Sequence, residues 1–383
     1  MTAKRTTGNP FSVVSYMGPE YFCDRVSETE TLRHALANRR NITLISPRRM
    51  GKTGLIHHLF RSIAPTEAYC FYIDIYNTTS LYDFTKRFAE EVLTRRIASF
   101  GQQVWIDIQR IFGALRPTLT LDAVTGMPQC TVDIQPQHEE ATLRQVFEYL
   151  EQAALPCYVA FDEFQVIEEY TDCKIEATLR SYIQHLNNVR FIYSGSKKHV
   201  LLQLFASVKR PFYQSTQIIE IGVIDETAYY DFAAAHLSHH GQQIDRDTFH
   251  ELYTMVNGHT WYMQSLLNRL YQSAVPKIEY ADCMAVVNDI IQENISVYQT
   301  YMSLVTARQR EVLRAVAKEG CIRDINSNRF LTLHKLPSGS TVRSAVLALE
   351  EKELLFRDRN GYSVYDRFFA IWLRMASSSP ISG

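Results

Sequence analysis

The chain has no run of about 18 apolar residues and does not open on a long apolar segment, so neither a membrane-spanning helix nor an export signal is expected. It has no disulfide framework either. Its seven cysteines (Cys23, Cys70, Cys130, Cys157, Cys173, Cys283 and Cys321) are odd in number and scattered, with no C-x-x-C pair and no histidine nearby at metal-ligand spacing. Cys70 and Cys157 fall in apolar, strand-like runs where the residue serves as a small hydrophobe. This usage predicts a reducing, cytoplasmic setting and no cysteine-bound metal. An excess of one charge is missing as well: the net charge is −1, so no global field draws the chain to nucleic acid or to an anionic membrane. Such a partner would need a local patch. What remains, 46% hydrophobic and 21% charged over 383 residues, is globular in character and long enough for about two or three domains.

One stretch organises the rest. A β-branched run from Ile42 to Ile45 stops at Ser46-Pro47, and an apolar helical pattern resumes at Leu55 after Gly51-Lys52-Thr53-Gly54. From Ser46 the spacing is that of a phosphate-binding loop, G-x-x-x-x-G-K-[ST], with serine in the first glycine's place. The chemistry follows from the residue types. Amides of Pro47, Arg48, Arg49, Met50, Gly51 and Gly54 line an anion nest at a helix N-terminus, although proline contributes no N–H of its own. Lys52 reaches for the β- and γ-phosphates, and the Thr53 hydroxyl is a ligand for Mg²⁺. Gly51 lets the backbone approach the phosphates. A serine at position 46 must tolerate the turn, at some expected cost in strain.

Upstream, residues 1–19 read as an irregular arm, and Tyr21-Phe22 precede a helix over 27–38 with Ser27 as its N-cap. That aromatic pair either stacks on a nucleotide base or belongs to the core. Downstream come a strand at 68–75, a helix at 80–100, and a hairpin inserted near 118–134 whose strands flank Thr125-Gly126-Met127. An amphipathic helix from Glu139 leads to Cys157-Tyr158-Val159-Ala160-Phe161-Asp162-Glu163. Adjacent carboxylates after a buried strand are costly unless a cation or water satisfies them. Asp162 is therefore expected to hold Mg²⁺ through water, and Glu163 to polarise an attacking water. The next strand ends in Ser194-Gly195-Ser196, of which Ser194 is the better placed to sense the γ-phosphate or that water, with Ser196 as its substitute. A last strand is expected over 217–223.

Alternating buried strands and helices imply a parallel sheet with helices on both faces, an α/β class, and a ligand at the strands' C-terminal ends. The expected division is a core over 1–224, a purely helical lid over 225–295, and a third domain over 296–383. In that third domain helices at 307–318 and 338–352 precede a hairpin about Asn360-Gly361, the layout of a winged helix with its own small core. This last segment carries thirteen Lys/Arg against eight Asp/Glu, so +5, leaving −6 for the remainder. The bias is modest. Arg343 and Lys335 flank the candidate recognition helix, whereas Glu350, Glu351 and Glu353 crowd its end and repel phosphate.

Tyr21-Phe22-x-x-Arg25, Pro47-Arg48-Arg49-Met50-Gly51-Lys52-Thr53, Asp162-Glu163-Phe164-Gln165 and Val364-Tyr365-Asp366-Arg367-Phe368-Phe369 with Trp372-Leu373 give nearly the whole chain a family likeness. It resembles the archaeal-type P-loop ATPases, relatives of the AAA+ and STAND classes. The resemblance implies ATP and Mg²⁺ as ligands, with Tyr21, Phe22 and Arg25 beside the nucleotide, Lys52, Glu163 and Ser194 in catalysis, and Thr53 with Asp162 at the metal. It also implies a DNA or protein partner for the winged helix. Three departures stand out: Ser46 replaces a glycine, Gly258-His259-Thr260 replaces a Gly-x-Pro lid turn, and Gln214 follows Tyr213 where many relatives have arginine. Arg48, Arg49 and Arg210 remain as candidates to stabilise transition-state charge, within one chain or between subunits.

Overall fold

Buried β-branched and aromatic runs become the strands, and amphipathic stretches the helices. The computed structural model describes residues 8–100, 115–121, 128–135, 137–171, 174–357 and 360–378. They fall into two units, one of Val14–Tyr229 and one that joins the residues up to Val13 to those from Tyr230 onward. The first unit begins with α1 (Val26–Ala37), β1 (Ile42–Ile45), α2 (Lys52–Ser62), β2 (Tyr69–Asp74) and α3 (Leu81–Phe100). A hairpin of β3 (Leu115–Leu121) and β4 (Pro128–Ile134) follows, then α4 (Glu139–Glu151), β5 (Cys157–Asp162), α5 (Ile175–Ile183), β6 (Val189–Gly195), α6 (Lys198–Ala206) and β7 (Gln217–Glu220).

Five of these strands form one parallel sheet in the order β2-β5-β6-β1-β7. Both faces are covered, as the near-continuous apolar strands require. On one face Leu32, Leu36, Leu55 and Leu59 of α1 and α2 pack against Ile42, Leu44, Ala160 and Ile192. The other face is aromatic: Phe161 of β5 stacks on Phe191 and Tyr193 of β6 at 6.0 and 6.3 Å, and those two stack on each other along β6 at 5.8 Å. Phe84, Phe88 and Phe147 of α3 and α4 cover them. Each such ring stabilises the fold by about 1.5–3 kcal/mol through burial alone.

The inserted hairpin is docked rather than loose. Glu90 and Thr94 of α3 accept hydrogen bonds from the backbone amides of Val132 (3.1 Å) and Cys130 (2.9 Å), satisfying donors that an edge strand leaves open. Its turn, Thr125-Gly126-Met127, lies outside the described residues, as does Cys173. The other six cysteines are free, four of them buried. Three details of the sequence reading are corrected. Helix α1 starts at Val26 with Arg25, in a left-handed conformation (φ 64°), as its cap, so Ser27 lies inside the first turn. The strand expected over 217–223 ends at Glu220. Ser46 has no positive φ and carries no turn strain; the left-handed residues of the loop are Arg49 (φ 62°) and Gly51 (φ 93°).

The second unit contains α7 (Glu226–His239), which begins in the first, then β8 (Gln243–Ile244), α8 (Arg246–Met255), α9 (Thr260–Ser273), β9 (Lys277–Ile278) and α10 (Tyr280–Ser303). A short parallel pair, β8 with β9, thus interrupts what was expected to be purely helical. The arm is anchored here: Phe11 is fully buried against Phe232, His236 and Tyr271, and Asn9 and Asn268 donate to each other's segments at 2.7 Å. After α10 come α11 (Ala307–Glu319), α12 (Asn328–Leu333), α13 (Gly339–Glu351), the hairpin β10 (Leu355–Arg357) and β11 (Tyr362–Val364), and α14 (Arg367–Ser378). The sequence reading lacked α12 and α14. A bridge from Ile322 to Tyr362 adds a third edge to the wing. The boundary expected at 295/296 falls inside the continuous helix α10. Phe368 of α14 packs on Tyr262 at 5.0 Å and Phe369 on Tyr298 at 5.2 Å, so the helical and wing segments share a core. Among the described residues no helix is long and apolar enough to cross a membrane.

Candidate active site

In a parallel sheet the C-terminal ends of neighbouring strands align, and the loops that leave them meet. Register pairs Leu44 with Ser194, Ile45 with Gly195 and Phe161 with Tyr193, so the segments after β1, β5 and β6 converge on one edge. The phosphate loop leaves β1, the carboxylate pair ends β5, and the serines end β6 between them.

Lys52 opens α2 and is only 5% exposed. Its ammonium donates to Ser46 O (3.2 Å), Ser46 Oγ (3.1 Å) and Pro47 O (3.1 Å), acceptors that offset part of the cost of burying a cation. Burial lowers its pKa, opposed by the charges of Asp162 and Glu163. Ser46 thereby replaces a glycine with a side chain that the lysine uses. Next to it, Thr53 Oγ1 donates to Asp162 Oδ2 at 2.7 Å. The expected metal ligands are therefore in contact, and their hard oxygen donors fit Mg²⁺, which takes few protein ligands and completes its shell with phosphate and water. Tyr72 of β2, a residue the sequence reading missed, donates to the same Oδ2 at 2.7 Å. Its own phenol is raised in pKa by burial first and by Asp162 second.

Glu163 sits in the left-handed region (φ 55°), capping a 3-10 helix over Phe164–Glu169. Asp162 Oδ1 accepts from its amide at 3.0 Å. Its carboxylate Oε2 accepts from Ser196 Oγ (3.1 Å) and from Gln165 Nε2. Arg48 Nε in turn donates to Ser196 Oγ at 3.4 Å. Of the two serines Ser196 is the one joined to Glu163, while Ser194 is fully buried and its hydroxyl finds no partner among the described residues.

The remaining expected residues divide. Arg25, 4% exposed, bonds Glu28 (2.7 Å), Gly222 O (2.7 Å) and Met50 O (3.5 Å), and so ties α1, the phosphate loop and the segment after β7 together. Phe22 lies against Gly54 and stacks on His58 at 4.2 Å, with Tyr16 edge-on at 5.7 Å. Tyr21 closes the short 3-10 helix that precedes it. Pro47 is half-buried, Met50 buried and Arg49 exposed. Arg210 is held by two carboxylates, Glu168 and Glu176 (2.7 Å to the latter), and does not stand as an unengaged cation.

Comparison with known proteins agrees with this architecture. A family model described as a probable winged helix domain matches residues 296–375. Comparison with curated proteins finds no match. Among solved structures, the chain is similar to the Walker-type ATPase of Pyrococcus abyssi, with 17% identity and a TM-score of 0.64 over 95% of this chain and 99% of that one. It is also similar to the ORC2 protein of Aeropyrum pernix in its ADPNP and ADP complexes (12% identity, TM-score 0.56, 97% and 98% covered). A third similar structure is the ORC1 protein of Aeropyrum pernix in complex with DNA (13%, 0.50, 95% of each chain). The chain thus has the fold of the Walker-type P-loop ATPases, ending in a winged helix.

Proposed function

We propose that the protein binds ATP with Mg²⁺ in this loop and hydrolyses it. The supporting observation is the contact of Thr53 with Asp162, 109 residues apart in sequence, which joins a phosphate loop to a carboxylate pair. Lys52 and the loop amides bind the phosphates. Glu163 accepts a proton from water as its oxygen bonds the γ-phosphorus and the bond to the β-phosphate oxygen breaks, giving ADP and phosphate. Mg²⁺, when bound, offsets phosphate charge. The nucleotide class is supported by the ADPNP and ADP complexes of a protein with the same fold.

Hydrolysis on this reading drives a movement of the helical and winged-helix segments, as a switch. The winged helix is the surface for the partner, DNA or protein; the DNA complex of the ORC1 protein supports the first. Arg210 is already paired with Glu176, and on this reading the isolated protein turns over slowly, mostly as a monomer, and accelerates when a partner or second subunit supplies or repositions an arginine, an effect worth roughly 10³–10⁵. The test is turnover of the purified protein, alone and with DNA, across a wide range of protein concentrations. Glu163→Gln should lower the rate about 10²–10⁴-fold with nucleotide still bound. Equal rates for both proteins would refute the assignment.

A further inference from the structure

Three structural costs meet at one carboxylate. Glu163 occupies a left-handed backbone conformation that non-glycine residues disfavour. Gln165, 2% exposed, buries its amide beside it and leaves Oε1 with no hydrogen-bond partner among the described residues. Gly195 ends β6 where any Cβ would overlap that Gln165 oxygen and approach Leu201 Cδ1 to 3.0 Å. A leucine at 165 would fill the same space without the orphaned oxygen, so packing does not account for the amide. What the amide does provide is Nε2, which donates to Glu163 Oε2, the oxygen that also accepts from Ser196 Oγ.

We propose that Gln165 is a positioning residue for Glu163: its amide, seated on Gly195, fixes the rotamer in which the carboxylate receives the proton of the attacking water. Gly195 is glycine so that this seat exists. The proposal rests on the ATPase reading and adds to it a residue that acts through Glu163.

The experiment compares kcat and nucleotide Kd for Gln165→Leu, Gly195→Ala, Glu163→Gln and the Glu163→Gln/Gln165→Leu pair, with ATP and Mg²⁺ as the probe. Gln165→Leu should lower kcat by about ten- to a hundredfold, the loss expected when a reacting group is displaced by about 1 Å, with Kd within about threefold. Gly195→Ala should do the same by displacing the amide, which keeps the test intact if one variant folds poorly. In the Glu163→Gln background the leucine should cost nothing further, because a positioning effect needs the carboxylate. Unchanged kcat in both single variants, or a full additive loss in the double variant, overturns the proposal. Wild-type turnover no faster than Glu163→Gln overturns the ATPase reading and the proposal together, whereas a wild type faster than Glu163→Gln, with Gln165→Leu and Gly195→Ala unaffected, overturns only the proposal.

Discussion

The two units treat buried polarity differently. In the first, Arg25, Lys52 and Asp162 are buried charges, and all three contact the phosphate loop or the helix that leaves it. In the second, the buried polar residues among those described are neutral, Gln242, Thr248, Gln264 and Ser363, while Arg310, Arg314 and Lys318 line the exposed side of α11 at four-residue spacing. Burying a charge is costly, so concentrating it around one loop marks where structure has been traded for chemistry. The second unit keeps its charge on the surface, where it can meet a partner and adds little stability.

The largest effect that tests this contrast is removal of residues from Ser296 onward. It deletes Tyr298, Phe368 and Phe369, strips the face of Tyr262, and cuts α10, so the remaining 230–295 segment should lose its protection in limited proteolysis. A truncated protein whose 230–295 segment stays resistant would show that the helical and wing segments have separate cores. Next is Arg25→Ala, which leaves Glu28 and two backbone carbonyls without their buried donor; a loss of about 3 kcal/mol in denaturant unfolding is expected. Arg314→Ala, by contrast, should fall within about 0.5 kcal/mol. Equal costs at 25 and 314 would dissolve the comparison.

Lys52→Met separates chemistry from stability at a single position. Nucleotide affinity should fall roughly a hundredfold or more in calorimetry, as expected when about 3 kcal/mol of charged contact is lost. The unliganded fold should be unchanged or more stable by about 1 kcal/mol. The smallest effect is on pH. Burial lowers the Lys52 pKa from 10.5, so the ammonium is lost at a lower pH than in an exposed lysine. Affinity should therefore weaken as pH rises within the window below 10.5, and binding there should take up a proton. Below that window the lysine is charged with or without nucleotide, and its contribution is flat. A proton uptake that persists in Lys52→Met would assign the titration elsewhere.

Local patterns were enough to read the site's ends. The phosphate-loop spacing points to Lys52 and Thr53, and the apolar run ending in Asp-Glu to Asp162 and Glu163; the fold brings Thr53 and Asp162 into contact. Tyr72 was not legible, since its role depends on β2 lying beside β5, and strand order is a tertiary fact. Arg25 was named for the nucleotide but its guanidinium is spent on Met50, Gly222 and Glu28, two of which are remote in sequence. The choice between Ser194 and Ser196 turned on one residue of strand length, which periodicity does not resolve. Helices α12 and α14 are hard to see in the sequence for different reasons: the first is only six residues long, and the second lies within an aromatic-rich motif, Phe368-Phe369 with Trp372, that marks family likeness more strongly than helix.

Strand order also sets a timetable. β1 carries the phosphate loop yet pairs only with β6 and β7, the last strands of the sheet to be synthesised. Until residues 189–220 have left the ribosome the loop's strand has no neighbour, and Thr53 cannot meet Asp162 across the gap that β6 fills. Contacts this distant in sequence are slow to form, so competence to bind should appear abruptly and late on a growing chain. On the proposed ATP-binding reading, only a polypeptide that has completed its central sheet should hold nucleotide, so capture would report a finished sheet.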